Sequence, residues 1–350
     1  MLATSALWLA AALTAAAAPE PVVLKLGTLA PVGSPWHESL KDLARRWVEA
    51  SAGRVKLRVY AGGTQGSEGD MLRKLAVGQL QVVSVSNVGL HDVVTEPQAF
   101  STPLLFDGDA EAECTFRSVR PRLDEAAAAR GLVALQWTRI GRASFFCNAL
   151  HATPAQAAAA KTFAWDGDPG SVKAWRAAGF HPVVLSATDL VPALSTGMID
   201  CVGQLPLYML TTRAFERARY VLDLPWGWVL GATVVRRETW ERVPAELRPA
   251  LLAIAAEVAT RIDADAQRME AEALEAMARA GAAIVKVDPA PWRAALARSW
   301  PVVRGEVVPA PFFDAVLEAR DVCRAAGARA LAAGEAVRGD STPPSRATRR

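Results

Sequence analysis

After Pro244 the sequence AELRPALLAIAAEVATRIDADAQRMEAEALEAMARAG holds Ala, Leu, Glu and Arg almost without interruption up to Gly281, and Pro244 suits the first position of a helix. Unbroken, its roughly 37 residues would reach about 55 Å. One small lobe is too short for that length, so such a helix has to lie along more than one body. Pro249 near its start and Asp263 to Asp265 in its middle leave a kink, or two helices, as the competing reading.

The chain ahead of it supplies two such bodies. VVLKLGTLAP from Val22 is β-rich and ends in a turn, and the following segment repeats Leu40, Leu43, Trp47 and Val48 at helical spacing. VKLRVYA alternates by twos and runs into the turn GGTQGSEGD. A helix with Met71, Leu72 and Leu75 follows, then Gly78 and the strand QVVSVSN. Strands alternating with helices predict an α/β fold with parallel pairing. The order helix, glycine, strand returns at TDLVPALSTG, Gly197 and MIDCVGQLP, as two lobes built alike would give. LVALQWTRIGRASFFCN (132–148) is long for one strand and can carry the chain into a second lobe, and RYVLDLPWGWVLGATVVR (219–236) can carry it back. Paired crossings of this kind are what a hinge requires. With 350 residues and 51% hydrophobic composition, two cores are within reach.

The ends differ from this body. Residues 1–18, MLATSALWLAAALTAAAA, are apolar, short for a bilayer span and close on small residues, the pattern of a secretory signal peptide, although no Lys or Arg precedes the apolar run. A buried N-terminal helix is the alternative. From Gly327 to Arg350 the chain turns to Gly, Pro, Ser and Arg, predicting a flexible tail. The net charge of +3, with bases interspersed among acids, argues against nucleic acid as a partner. Cys114, Cys147, Cys201 and Cys323 form no C-x-x-C and have no metal-ligand spacing. An exported chain permits disulfides, but four buried thiols are the simpler expectation.

Several passages in order resemble the substrate-binding subunits of TRAP transporters of the DctP type. They are LKLGTLAPVGSPWH, GRVKLRVYAGGTQGSEGDMLRKLAVGQLQVVSVS, FSTPLLFD, PALSTGMIDCVGQLP and VVRRETWERVPAELRPALLAIA. The resemblance spans Val22 to about Arg324. It implies a two-lobed periplasmic-binding-protein fold with a hinge and a long interlobe helix, a deep cleft, a small-molecule ligand and TRAP membrane subunits as partners. Lobe I would be residues 22–138 plus 231–260, and lobe II residues 139–230 plus 261–326.

In open parallel sheets ligands sit beyond the carboxyl ends of the strands. That selects Trp36 with His37, Thr64 with Gln65, and Ser86 with Asn87 on the first lobe, and Trp165, Asp166, Gln204 and Tyr208 on the second, with Trp226 and Trp228 near the return crossing. The family resemblance implies an arginine in a second-lobe strand, where its planar fork pairs with a ligand carboxylate. In Lys161-Thr162-Phe163-Ala164-Trp165 the position is held by Phe163. Phe163 and Trp165 share a strand face, either toward the cleft or into the lobe's core. Arg142, in the outgoing crossing, is either a substitute cation or a surface arginine. For Asn87 and Gln204, turn or capping bonds compete with ligand contact. Trp226 and Trp228, if extended, share a face at the cleft rim or in a core.

No G-x-S-x-G elbow occurs, and the histidines at 37, 91, 151 and 181 have no motif around them. The turn GGTQGSEGD lacks the Lys-Ser/Thr ending of a phosphate loop, and the acids at 166, 168, 189 and 200 have no metal-ligand spacing. The sequence therefore calls for no catalytic residues, metal or cofactor. The expectation is a periplasmic receptor that closes on an apolar, amphipathic or cationic molecule. A stand-alone carrier, chaperone or sensor of hydrophobic molecules is the alternative, and a periplasmic enzyme a more distant one.

Overall fold

The first β-rich run folds as β1 (Val22–Thr28) and pairs in parallel with β2 (Val55–Tyr60) in a computed structural model that describes residues 20–339. The expected signal peptide over 1–18 and residues 340–350 of the expected tail lie outside the described residues. The helix Pro35–Ala50 joins the two strands. Ser34 caps it by accepting the His37 N–H, and it buries Leu40, Leu43 and Trp47. β3 (Val82–Ser86) lies parallel on the other side of β1.

The same unit recurs in the second half. β5 (Lys161–Trp165) pairs in parallel with β6 (His181–Leu185) and β7 (Cys201–Gln204). The helices Glu68–Ala76 and Leu190–Thr196 are followed by Gly78 at φ +77° and Gly197 at φ +69°, left-handed positions where a side chain would be strained. The repeated glycines thus do the same job in both halves.

Two strands carry the chain between the halves. β4 (Leu132–Cys147) and β8 (Tyr220–Arg236), 16 and 17 residues long, pair antiparallel along their length. β8 pairs with β3 through Gly231–Val235 and with β9 (Ala283–Lys286) through Tyr220–Asp223, while β4 pairs with β7 through Ser144–Cys147. The strand order is β2-β1-β3-β8-β4-β7-β5-β6, with β9 on β8. The β4–β8 ladder shifts register at Ala134/Gln136, Arg139/Gly141 and Ala143/Phe145, so the pairing is most irregular midway between the halves.

The interlobe helix runs from Arg248 to Arg279 as one element, 32 residues or about 48 Å, which removes the two-helix alternative. Its mid-helix acid has a tertiary task. Asp263 accepts the Arg139 N–H at the second register shift, and Glu270, two turns on, accepts the Arg142 N–H at 3.0 Å and the Arg142 Nε–H at 3.0 Å. Two carboxylates of one helix thereby satisfy backbone donors where the ladder is broken. Hydrophobic clusters cover both faces of each half, and Trp47 donates to the Leu251 carbonyl at 3.0 Å to fasten the first helix to the long one.

Two expectations change. The cysteines are not thiols: Cys114–Cys323 and Cys147–Cys201 are disulfides, the first tying the helix Asp109–Ala129 to the C-terminal helix and the second joining β4 to β7. Their partners are 209 and 54 residues apart, so nothing local in the sequence disclosed them. The C-terminal helix, Ala310–Gly339, also continues past Gly327, because the ARALAAGEA stretch is a good helix former. No helix among the described residues is long and apolar enough to cross a membrane.

Candidate functional site

The carboxyl ends of β1, β3, β5 and β7 open onto one cavity of about 950 Å³ between the halves. The loop after β1 contributes Trp36. β5 contributes Phe163 and Trp165, and β7 with the helix after it contributes Gln204 and Tyr208. Trp226 of β8 closes one wall, its ring stacked 4.4 Å from Phe145 and 5.7 Å from Trp175. Gly203 permits that packing, since a Cβ there would stand 2.9 Å from Trp226 Nε1. Ile262 and Met269, seven residues apart on the long helix, reach the same space.

Phe163 and Trp165 therefore do share a face, and that face belongs to the cavity wall while also packing against the second half's core. Four candidates lie elsewhere. Asn87 is fully buried behind the wall, donating to Gln98 at 3.0 Å and Ser101 at 2.8 Å. Arg142 is clamped to Glu270, with Nη2 to Oε1 at 2.9 Å, and is not a spare cation. Asp166 is exposed, its N–H bonded to the Leu185 carbonyl. Trp228 is in the first half's core: it donates to Asp109 at 3.1 Å and carries the Arg139 guanidinium 4.6 Å above its ring. Thr64 donates to the Ala61 carbonyl, Gln65 accepts from Lys74 of the following helix, and His37 accepts the Gly33 N–H. The glycine-rich turn ends in a Ser67/Asp70 capping box, where the Ser67 hydrogen bonds hold the Asp70 carboxyl down at about 2, so an anion meets an acid there.

Sequence reasoning did not select Glu68, Asp168, Gln136 or Trp175 for the cavity. Glu68, in the first turn of its helix, and Asp168, which caps Pro169–Ala177 through Ser171, both line the space, as do Gln136 and Trp175. No Lys, Arg or His does so among the described residues. Burial raises the Glu68 carboxyl above its ordinary value and likewise raises the Tyr208 hydroxyl. The Trp175 signal was present as helical spacing with Val172 and Ala178. Gln136 gave none, because it belongs to a strand whose register shifts beside it.

Residues 26–304 match the model of the DctP family, bacterial extracellular solute-binding protein family 7. The C4-dicarboxylate-binding periplasmic protein DctP of Rhodobacter capsulatus is 24% identical over 278 residues, 78% of this chain and 82% of that one. A TRAP periplasmic solute-binding protein of Ochrobactrum anthropi, with its C-terminus bound in its own ligand pocket, superposes with a TM-score of 0.81 at 19% identity, covering 89% of this chain and 98% of that one. Another from Roseobacter denitrificans, with bound β-D-glucuronate, gives 0.74 at 20% identity over 84% and 99%. The two-lobed α/β fold is shared with these neighbours. The chain belongs to the DctP family of extracytoplasmic solute-binding receptors and is not an enzyme.

Proposed function

We propose that this receptor presents a small molecule with an apolar or amphipathic body to TRAP membrane subunits, and that residues 22–138 with 231–260 close against 139–230 with 261–326 around it. The observation that carries the reading is the sign of the lining: aromatic walls, two carboxylates and no base among the described residues. An anionic ligand would lose its water without gaining a charge-assisted partner, a penalty of several kcal/mol, and would face Glu68 and Asp168 as well. The family resemblance puts an anchoring arginine at the position of Phe163, and the aromatic ring there supports a different ligand class from the dicarboxylate and glucuronate of the relatives named above. Closure follows because a ligand touching both lobes binds the closed form better than the open one.

Titration calorimetry with succinate, glucuronate and a set of apolar and amphipathic molecules tests this. Heat from the apolar set alone is expected, and Phe163→Arg is expected to bring measurable carboxylate binding. Tight binding of succinate or glucuronate by the unaltered chain would refute the reading.

A further inference from the structure

We propose that the ligand carries a cationic nitrogen, a protonated amine, on its apolar body, and that Glu68 and Gln136 receive it. The proposal rests on the apolar-ligand reading above and narrows it. It begins from acceptors that the protein leaves without donors. The hydrogen-bond partners of Glu68 are neutral: Oε1 accepts the Ser86 N–H at 2.6 Å, Oε2 accepts the Ser86 hydroxyl at 2.7 Å, and the Gly89 backbone assists. No described Lys, Arg or His forms an ion pair with it. A carboxylate offers about four lone-pair sites, which these groups do not fill, and Glu68 lines the cavity. Burial already raises this carboxyl, which is the mark of a charge held out of water without a counter-ion.

Gln136 supplies an independent observation. Its side chain is 1% exposed and lines the same cavity, and its Oε1 has no hydrogen-bond partner. The amide orientation follows from its neighbours. The Thr233 hydroxyl donates to Ser84 Oγ at 3.1 Å, so it is an acceptor toward Gln136 Nε2 at 3.2 Å. That leaves the carbonyl oxygen unmet, and a buried unmet acceptor is destabilising until a donor arrives. Ser86 bonds Glu68, and Ser84, which bonds the Thr233 hydroxyl that holds Gln136, is two residues away on the same face of β3, about 7 Å. An ammonium, with three N–H donors and a full charge, answers both, whereas a hydroxyl brings one donor and leaves the carboxylate uncompensated. The facing lobe agrees in sign. Phe163 and Trp165 offer ring faces, which attract cations, and Asp168 adds negative potential although its oxygens are taken up by Ser171.

The test is calorimetry on the purified full chain with three matched trios of amine, alcohol and carboxylic acid, built on indolyl, phenyl and octyl bodies. In at least one trio the amine is expected to bind at least tenfold more tightly than its alcohol, with no heat from the acid. Glu68→Gln, checked for an unchanged thermal melt, is expected to reduce the amine-to-alcohol affinity ratio at least tenfold, and Gln136→Leu to reduce it several-fold. Equal binding of amine and alcohol in every trio, or an unchanged ratio in both variants, would overturn the amine assignment and leave the apolar reading standing. No amine binding at millimolar concentration would also overturn it. Binding of the acids alone would overturn both.

Discussion

Asp263 sits in the middle of the interlobe helix with its carboxylate against the Arg139 N–H of β4, and the stability of the protein should record that position as a pH dependence of unusual sign. Burial is the largest influence on it and outweighs the Arg139 hydrogen bond, pushing the carboxyl from 3.8 to about 6. Between about pH 4, where it titrates in the unfolded chain, and about pH 6 the native protein holds more protons at this site than the unfolded one. Its contribution to stability therefore falls as pH rises through that window and stays low above it. At 1.36 kcal/mol for each tenfold change in acidity, the fall is about 3 kcal/mol. Asp263→Asn keeps an oxygen for the Arg139 N–H and cannot ionise. The assay is urea unfolding of both proteins at steps from about pH 4 to about pH 7.5, with the free-energy difference plotted against pH so that all other groups cancel. The variant should gain on the parent by about 3 kcal/mol across the window, nearly all of it below about pH 6. A flat difference curve, or one in which the variant loses ground as pH rises, would refute the burial argument.

Three other expectations follow, one from ion pairs of the long helix and two from the cysteines. Glu270→Ala leaves the Arg142 N–H and guanidinium without their acceptor and should destabilise by about 3 kcal/mol in denaturant, whereas Glu257→Ala, whose pair with Arg46 is largely in solvent, should change stability by less than about 0.5 kcal/mol. Unfolded but unreduced protein should give no reaction with a thiol reagent. Removing the Cys114–Cys323 link, which closes a 209-residue separation, should lower stability by up to about 5 kcal/mol in the chain-entropy view.

Much of the architecture was legible because it rests on repetition and length. The interlobe helix announced itself by composition, and β4 and β8 by being too long for one lobe. Gly78 and Gly197 marked equivalent turns because the backbone there needs a left-handed residue. The site was legible where residues lie near or beyond the carboxyl end of a strand, as at Trp36, Phe163, Trp165, Gln204 and Tyr208. Alternation fails as a guide where the ladder breaks: between Gly227 and Leu222 β8 loses its regular pairing with β4, and Trp226 joins the cavity wall while Trp228, two residues on, packs in the first half's core. Arg142 misled for a related reason. A cation beside a cleft in sequence says nothing of the acid that neutralises it, and Glu270 lies 128 residues away. Glu68 and Gln136 were missed because a polar residue becomes conspicuous only when its donors and acceptors can be counted in three dimensions.

The order of strands also bears on how such a chain can be secreted. β3 meets β4 only through β8, whose pairing residues Gly231–Val235 follow the whole of β5, β6 and β7. A polypeptide threaded amino end first through an export pore must therefore deliver about two-thirds of its length before its earliest sheet has a middle. In a chain exported that way the Val82–Ser86 edge would wait for β8 on the far side of the pore, open to pairing with other strands.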